Sequence, residues 1–171
     1  MPSIDPHVAQ CSLSHNPQAG TLALAGDANR LRARSAPTAA SDLAVAMTGS
    51  PLVTIAVPTF NRATMLERCL ESALGQSYAA VEVIVCDNAS TDSTEDVVTR
   101  ALAGHPRARY VRHDTNLGAV ANFQAGLDLA TGDYFMWLAD DDWLDPDYVA
   151  RCVEVLRDDP RVVAVAARIA T

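Results

Sequence analysis

The sequence predicts an α/β fold, in which a mostly parallel sheet carries helices on both faces. After residue 50, short apolar runs rich in β-branched residues alternate with segments of helical periodicity. Strands separated by helices of about ten to fifteen residues form βαβ units, and such units build a parallel sheet that is covered on both sides. The chain has 171 residues, of which 49% are apolar, so it is long enough for one domain with a buried core.

The strands are predicted from the apolar runs. The clearest of these runs are continuous rather than alternating, which is typical of strands that are buried on both faces. The predicted strands are residues 52–57, 81–86, 109–112, 134–138 and 162–169.

Capping residues and apolar spacing predict a helix after each of the first four strands. Thr64 and Glu67 stand three residues apart and predict a capping box at the start of the first helix. Asp92 and Glu95 open the second helix in the same way. The other two predicted helices are residues 118–130 and residues 146 to about 157.

Residues 1–50 differ from the rest of the chain. They contain no aromatic residue and as many basic as acidic residues, so the net charge of −8 falls on residues 51–171. Because it lacks aromatic side chains and is rich in Ala, Ser, Pro and Gly, this segment cannot offset the entropy that it would lose on ordering, and we expect a disordered N-terminal extension. Met47 is an alternative start. We expect no secretory signal and no transmembrane segment.

The basic residues exclude several classes of function. All 13 are arginines, and the absence of lysine excludes P-loop and Schiff-base mechanisms. The acidic balance also argues against a nucleic-acid partner, which requires a basic surface. The four cysteines, Cys11, Cys69, Cys86 and Cys152, show no regular spacing, so we expect core thiols in a reducing compartment.

Polar residues follow three of the predicted strands. Residues 58–62 follow the first strand, residues 87–92 the second, and the aspartates 140–142 the fourth. In parallel α/β sheets, ligands bind at the carboxyl ends of the strands. We therefore expect these three loops to converge on one pocket.

The acidic residues of these loops each have two interpretations. Asp92 is better explained as a helix cap, whereas Asp87 comes directly after a buried strand, which favours ligand contact. The three aspartates at 140–142 could form a solvated turn, but adjacent carboxylates repel one another unless a cation is present. We expect a divalent-metal site there, with Mg²⁺ or Mn²⁺ held by two carboxylates, diphosphate oxygens and water.

Other phosphate-binding folds fit less well. A Gly-x-Gly-x-x-Gly sequence is absent after the first strand, which excludes the usual dinucleotide fingerprint. A phosphoacceptor receiver domain and a haloacid-dehalogenase-like phosphatase both need a lysine that the chain lacks.

Taken in order, the motifs resemble those of family 2 glycosyltransferases, which have the Rossmann-like GT-A fold. Each motif alone is weak, but their combination over residues 51–150 is specific, and it identifies residues 51–171 as a GT-A-like nucleotide-sugar-binding domain. The matching segments are residues 53–62 (Val-Thr-Ile-Ala-Val-Pro-Thr-Phe-Asn-Arg), 83–92 (Val-Ile-Val-Cys-Asp-Asn-Ala-Ser-Thr-Asp), 116–118 (Asn-Leu-Gly), 130–134 (Ala-Thr-Gly-Asp-Tyr) and 138–144 (Leu-Ala-Asp-Asp-Asp-Trp-Leu).

The resemblance implies a binding site for a nucleotide-diphosphate sugar, UDP- or dTDP-linked. Asp87 matches the family aspartate that accepts a hydrogen bond from the base. Pro58, Thr59 and Asn61 match loop positions beside the nucleoside, and Arg109 approaches the base.

The resemblance also implies metal ligands in the acidic motif. Asp141 is the expected direct ligand, and Asp140 is expected to contact the ribose or a metal-bound water. Asp142 is a second candidate ligand, because Ala139 stands where many relatives have the first aspartate. The metal would be Mg²⁺ or Mn²⁺.

The implied function is an inverting glycosyltransferase that transfers a sugar to a glycan, a lipid or another acceptor. We expect the acceptor-binding half, with the general base, to lie outside this C-terminally truncated chain. A non-catalytic nucleotide-sugar-binding module, completed by a partner protein, is the alternative, and an interaction fragment with an exposed sheet edge is a third. We expect a cytoplasmic location, with peripheral association at the inner face of the membrane left open.

Overall fold

Parallel strands and helices alternate along the chain. The computed structural model describes residues 8–12, 49–159, 161–162 and 164–168. The strands in these residues are β1 (Val8–Ser12), β2 (Val53–Thr59), β3 (Val81–Asp87), β4 (Ala108–Arg112), β5 (Tyr134–Trp137) and β6 (Ala164–Arg168). The helices are α1 (Ala63–Leu74), α2 (Thr94–Leu102), α3 (Ala119–Leu129) and α4 (Tyr148–Asp158).

Strands β2 to β5 form one parallel sheet in the order β4-β3-β2-β5. The central strands β2 and β3 are buried along almost their whole length. This burial on both faces explains why their sequences are continuous apolar runs. The α/β fold with a parallel sheet, predicted from the sequence, is confirmed.

Helices cover both faces of the sheet. Val53, Ile55 and Val57 point from β2 into the main hydrophobic core, which they share with apolar residues of α1, α2 and α4. The other face packs against α3, where a Cβ atom added to Gly126 would lie only 2.9 Å from the Cβ of Ala56. A glycine at this position therefore lets α3 approach the sheet closely.

The cysteines in this core are structural thiols, as predicted. Cys69, Cys86 and Cys152 are all buried. Burial raises the pKa of Cys86 to about 11 and that of Cys69 further, so both remain protonated at neutral pH. The side chain of Cys11 lies outside the described residues.

Strands β1 and β6 form a separate two-stranded parallel sheet. The sequence predicts β6, as residues 162–169, but it does not predict β1, because a run of five residues carries little periodic signal. Ala164 is paired with Val8 of β1. The segment predicted to be disordered, residues 1–50, includes β1, where the structure has a strand instead. Residues 1–7 and 13–48 of that segment, and the alternative start at Met47, lie outside the described residues.

The described helices are short. The longest, α1, has 12 residues. None of them combines the length and the apolar character that crossing a bilayer requires.

Helix α1 begins at another residue than the sequence predicts, whereas Asp92 accepts hydrogen bonds at the start of α2, as its interpretation as a helix cap predicts. Asp92 also serves α1. Helix α1 begins at Ala63, and the capping box predicted at Thr64 is not formed. Instead, the Ala63 N–H donates a hydrogen bond to Asp92 Oδ2 (3.1 Å). Helix α2 begins at Thr94, whose N–H (3.0 Å) and hydroxyl (2.5 Å) both donate to Asp92 Oδ1. One carboxylate therefore accepts hydrogen bonds at the start of two helices.

Replacing Asp92 by alanine is expected to lower the free energy of unfolding by about 1–2 kcal/mol at neutral pH, because both helix starts lose an acceptor. The hydrogen bond from the Thr94 hydroxyl, assisted by those from the backbone, lowers the pKa of Asp92. Its stabilising effect is therefore present above the unfolded-state pKa of about 4, and is lost as the pH falls through the lower folded-state value. Urea denaturation of both proteins at several pH values measures this difference.

The matched control is Asp96→Ala, which removes an exposed acidic residue from the first turn of α2. It is expected to change stability much less than Asp92→Ala. A deficit for Asp92→Ala that stayed the same from pH 7 to about pH 2 would contradict the assigned role of the carboxylate.

Candidate functional site

The loops after β2, β3 and β5 meet at the carboxyl edge of the sheet. The Asn88 N–H donates to the carbonyl oxygen of Thr59 (3.0 Å), which links the first two loops. The Thr59 hydroxyl donates to Asp140 Oδ2 (2.8 Å), in the acidic loop of residues 139–142. The loop after β4 joins them through Asn116, whose Oδ1 accepts from Asn88 Nδ2 (2.9 Å). The structure thus brings together the three loops that the sequence places at one edge.

Asp87 is a fully buried carboxylate at the last position of β3. Its Oδ1 accepts hydrogen bonds from the N–H of Ser90 (2.9 Å) and from the Ser90 hydroxyl (2.5 Å). Its Oδ2 accepts from the Tyr110 hydroxyl (2.6 Å), and Arg112 Nε lies 3.3 Å away. These partners hold the carboxylate in one orientation and offset the cost of burying its charge.

Tyr110 and Arg112 keep Asp87 in place from the neighbouring strand. Burial and the hydrogen bond to Asp87 raise the pKa of Tyr110 well above its ordinary value, so its hydroxyl stays protonated and donates. Arg112 also donates to the carbonyl oxygen of Ser90 (2.7 Å), and its Nη1 lies 3.6 Å from Glu95 Oε2. Arg112 therefore connects β4 with the loop after β3 and with α2.

Asn61 locks the loop after β2 to the loop after β3. Its φ angle of +54° lies in the left-handed region, which asparagine tolerates better than most residues. Its N–H donates to Ser90 Oγ (2.9 Å), and its Oδ1 accepts from the Thr91 N–H (2.7 Å). Because Ser90 also contacts Asp87, the buried carboxylate is tied to both loops.

Asn122 ties the ends of the two central strands, β2 and β3, together from the face of the sheet that α3 covers. It projects from α3 and is only 3% exposed. Its Nδ2 donates to the carbonyl oxygen of Cys86 (2.9 Å) and, over 3.4 Å, to that of Thr59. The role of Asn122 in spacing the strand ends is visible only in the structure.

Asp140 and Asp141 share one arginine at the open side of the edge. Arg62 Nη1 lies 2.9 Å from Asp141 Oδ2, and Arg62 Nε lies 4.0 Å from Asp140 Oδ1. Burial raises the pKa of Asp140, against the opposing effects of the Thr59 hydroxyl and of Arg62. The side chain of Asp141 is about half exposed, at 48%, whereas that of Asp140 is 13% exposed.

Asp142 follows this pair in the same loop and is buried. It is 8% exposed, and its N–H donates to the carbonyl oxygen of Ala139 (3.0 Å) in the turn. The sequence suggests Asp141 and Asp142 as metal ligands. In the structure, Asp140 and Asp141 both lie beside Arg62, and Asp142 is buried in the turn.

The residues at this edge fit a divalent cation that is shared with a phosphorylated ligand. In the part of the chain that the structure describes, no group of three or more His, Cys, Asp or Glu side chains forms a metal cage. Mg²⁺ is commonly bound through only one or two carboxylates together with substrate phosphates, and Asp140 and Asp141 offer that set. The guanidinium of Arg62 already sits beside both carboxylates, so the position accommodates a positive charge.

Pro58 lies one residue before the end of β2. It is buried within β2, where it is paired with Cys86 of β3. Its neighbour Thr59 ends the strand and carries the hydroxyl that contacts Asp140.

Arg109, which the sequence resemblance places near the base, lies elsewhere in the structure. Its Nη2 donates to the carbonyl oxygen of Leu129 (2.7 Å) at the end of α3 and lies 3.5 Å from Glu82 Oε2. Glu82 is near the start of β3, so Arg109 is far from the carboxyl edge of that strand.

The register of β3 and β4 explains this placement. Arg109 is paired with Ile84, whereas Arg112 is paired with Asp87. Since successive strand residues face opposite sides of a sheet, Tyr110 and Arg112 share the face of Asp87 and Arg109 does not. The cation beside the buried carboxylate is therefore Arg112, which the sequence analysis does not single out.

A cleft of about 260 Å³ lies at the other end of the sheet, near the starts of β3 and β4. Its lining includes Leu74, Tyr78, His105 and Arg107. None of the predicted site residues lines this cleft.

Comparison with known proteins identifies the family. The sequence model described as "Glycosyl transferase family 2" matches residues 54–171, which is more than half of the chain. The chain belongs to glycosyltransferase family 2. The matched residues include every strand end and loop of the carboxyl edge.

The curated relatives are glycosyltransferases that are much longer than this chain. The chain is 36% identical over 116 residues to the chondroitin synthase of Escherichia coli, which is 67% of this chain and 17% of that protein. It is also 36% identical over 95 residues to the GalNAc(5)-diNAcBac-PP-undecaprenol beta-1,3-glucosyltransferase of Campylobacter jejuni, which is 55% of this chain and 31% of that protein. The chain thus spans less than a third of either relative.

Solved structures share the fold of this chain. The mannosyltransferase PcManGT from Pyrobaculum calidifontis, in complex with GDP-Man and Mn²⁺, matches with a TM-score of 0.58 and 34% identity over 64% of this chain and 33% of that one. TarS of S. aureus matches with a TM-score of 0.59 and 22% identity over 63% of this chain and 32% of that one, which shows the fold alone. The GT-A fold is therefore shown by the structure and its neighbours together.

Proposed function

We propose that this chain binds the nucleotide-sugar donor of a metal-dependent glycosyltransferase, and that the donor is a UDP- or dTDP-sugar. The observation that carries this proposal is the presence of two different carboxylate sites at one sheet edge. Asp87 is buried and oriented by hydrogen bonds, whereas Asp140 and Asp141 form a partly exposed anionic pair. The first site suits a directed hydrogen bond from a base, and the second suits a cation with a diphosphate.

Asp87 would recognise the base through an N–H group. An ionised carboxylate only accepts hydrogen bonds, so it selects a base that presents a donor, such as N3–H of uracil or thymine. Arg112 Nε, at 3.3 Å, makes the longest of the contacts to Asp87 and is the partner that a base can displace most easily. Ser90 and Tyr110 would then keep the carboxylate aligned.

Asp141 would hold the divalent cation, Mg²⁺ or Mn²⁺, and Asp140 would bind the cation, one of its waters or the ribose. When bound, such a cation neutralises the negative charge that develops on the leaving nucleoside diphosphate. Thr59 fixes Asp140 by its hydrogen bond, and Asn61 fixes the loop beside it. The neighbour that was solved with GDP-Man and Mn²⁺ supports a divalent cation in this fold.

We further propose that the acceptor is a glycan or a lipid-linked saccharide, as the names of the curated relatives suggest. An acceptor hydroxyl would attack the anomeric carbon of the donor from the side opposite the diphosphate, which inverts that carbon. The general base is not assigned to any described residue, and we propose that it belongs to an acceptor-binding part contributed by further sequence or by a partner protein.

Isothermal titration calorimetry with UDP, dTDP and GDP, each with and without Mn²⁺, tests the donor assignment. We expect UDP or dTDP to bind at least about tenfold more tightly with Mn²⁺, which corresponds to about 1.4 kcal/mol. Absence of binding by all three nucleotides under both conditions would contradict the proposal. Incubation with UDP-sugars and Mn²⁺ then distinguishes an enzyme, which releases UDP, from a non-catalytic binding module, which does not.

A further inference from the structure

We propose that Arg62 is a built-in counter-cation of the acidic loop, which competes with the divalent metal for Asp140 and Asp141 and moves to the donor diphosphate when the metal binds. This inference rests on the proposed function, because it assigns a further binding role within the same site. The observation behind it is the position of one guanidinium beside both carboxylates, at 2.9 Å from Asp141 and 4.0 Å from Asp140.

The backbone fixes where Arg62 stands, and its side chain lies at the surface of the protein. Arg62 is the residue before the first turn of α1, and its carbonyl oxygen accepts the N–H groups of Met65 and Leu66, both at 3.0 Å. It follows Asn61, whose left-handed backbone turns the chain into the helix. The side chain is 47% exposed, so solvent surrounds much of the guanidinium.

The charges explain why the Arg62 contact is exchangeable. Without a cation, the adjacent carboxylates repel each other, and Arg62 relieves this repulsion. An ion pair between side chains that are each about half exposed is weak, because water screens it and two side chains lose freedom. A divalent cation bridged to a diphosphate brings more charge and more ligands, so it can displace the guanidinium.

The displaced guanidinium has a suitable new partner. Arginine presents a planar fork of N–H donors that matches two phosphate oxygens, and it carries its charge at every physiological pH. From the start of α1, Arg62 reaches the space in front of Asp140 and Asp141, which is where a diphosphate bound to their cation would lie. Metal binding and diphosphate recognition would therefore be coupled through one side chain.

Arg68 provides a matched control on the same helix. Its Cζ lies 3.3 Å from the centre of the Trp143 ring, just after the acidic loop, in a cation–π contact. Arg68 carries the same charge as Arg62 and borders the same loop, but it stacks on the ring of Trp143. Arg68→Gln therefore removes an equal charge from the region without removing the proposed competitor.

The experiment measures Mn²⁺ binding to the full 171-residue chain by electron paramagnetic resonance, without nucleotide, and then UDP binding at saturating Mn²⁺ by calorimetry. We expect Arg62→Gln to bind Mn²⁺ about two- to fivefold more tightly than the wild type, since one competing exposed ion pair is lost. We expect the same variant to bind UDP about tenfold more weakly, since a charge-assisted contact to phosphate is lost. Arg68→Gln should change neither affinity, and Arg62→Lys should restore most of the wild-type Mn²⁺ affinity.

The opposite signs of the two changes distinguish this role from a merely structural one, which would weaken both affinities. Unchanged or weaker Mn²⁺ binding by Arg62→Gln, with a normal circular dichroism spectrum, would overturn the inference. Unchanged UDP binding would overturn the transfer of Arg62 to the diphosphate.

If wild-type protein binds UDP with Mn²⁺ while Arg62→Gln behaves like the wild type, the inference fails and the proposed function stands. If the wild type binds neither Mn²⁺ nor UDP, the proposed function fails and the inference with it.

Discussion

Replacing Asp87 by asparagine is expected to lower the affinity for UDP by about ten- to a hundredfold, because a hydrogen bond to a charged group contributes about 1.5–3 kcal/mol. The asparagine side chain is nearly isosteric, but its amide NH₂ must face either Ser90 or Tyr110, which both donate hydrogen bonds to Asp87, and on the Tyr110 side it also meets the guanidinium of Arg112. The variant therefore loses the negative charge and places donors against donors in a buried position.

Calorimetry at saturating Mn²⁺ measures this loss, and urea denaturation measures any accompanying loss of stability. Asp128→Asn is the matched control, because Asp128 is an exposed acidic residue of α3 that contacts Gln124 (3.0 Å). The control is expected to bind UDP like the wild type. Wild-type affinity in a folded Asp87→Asn protein would show that Asp87 does not contact the base.

Replacing Asp141 by asparagine is expected to abolish the effect of Mn²⁺ on UDP binding, and replacing Asp140 is expected to reduce it strongly. Each change removes one of the two adjacent carboxylates at the edge, so only one of the two proposed protein ligands remains beside the diphosphate. The measured quantity is the ratio of the UDP dissociation constants with and without Mn²⁺. For Asp141→Asn we expect this ratio to approach one.

Asp142→Asn and Asp114→Asn are the comparison variants. Asp142 is buried in the turn, so its replacement tests whether the metal role extends to the third aspartate. Asp114 is an exposed acidic residue in the loop after β4 and tests the general effect of charge at this edge. A full Mn²⁺ effect in Asp141→Asn would refute the ligand assignment, and a loss confined to Asp142→Asn would shift the metal to that residue.

The sequence predicts the central strands well because their environment is uniform. Residues of β2 and β3 are apolar at nearly every position, since both faces of these strands are covered. The polar residues at their carboxyl ends then stand out against the apolar runs, which is why Asp87, Thr59 and the acidic loop could be placed at one edge.

Helix starts were harder to predict because the cap comes from a distant part of the chain. Thr64 and Glu67 have the local spacing of a capping box, yet Ala63 is the first residue of α1. The acceptor for its N–H is Asp92, 29 residues further along the chain. A local pattern cannot show a hydrogen bond that only the tertiary fold creates.

The sequence resemblance places Arg109 near the base, whereas the structure places Arg112, three residues later on the same strand, beside Asp87. Arg109 and Arg112 lie three residues apart on β4, so they face opposite sides of the sheet. Only the register with β3, which pairs Arg112 with Asp87, decides which arginine reaches the buried carboxylate. Register depends on contacts between strands and is not encoded in the local sequence of β4.

The most direct test of the central claim locates the bound nucleotide and metal on the protein. A ¹⁵N-labelled chain is titrated with UDP and Mg²⁺, amide chemical shifts are recorded, and Mn²⁺ is then substituted so that amides near the cation are broadened. We expect the largest shifts at Ser90 and Asn61 and the strongest broadening at Arg62 and residues 139–142. Shifts and broadening centred on His105 and Arg107, at the cleft on the other end of the sheet, would contradict the assignment of the carboxyl edge as the donor site.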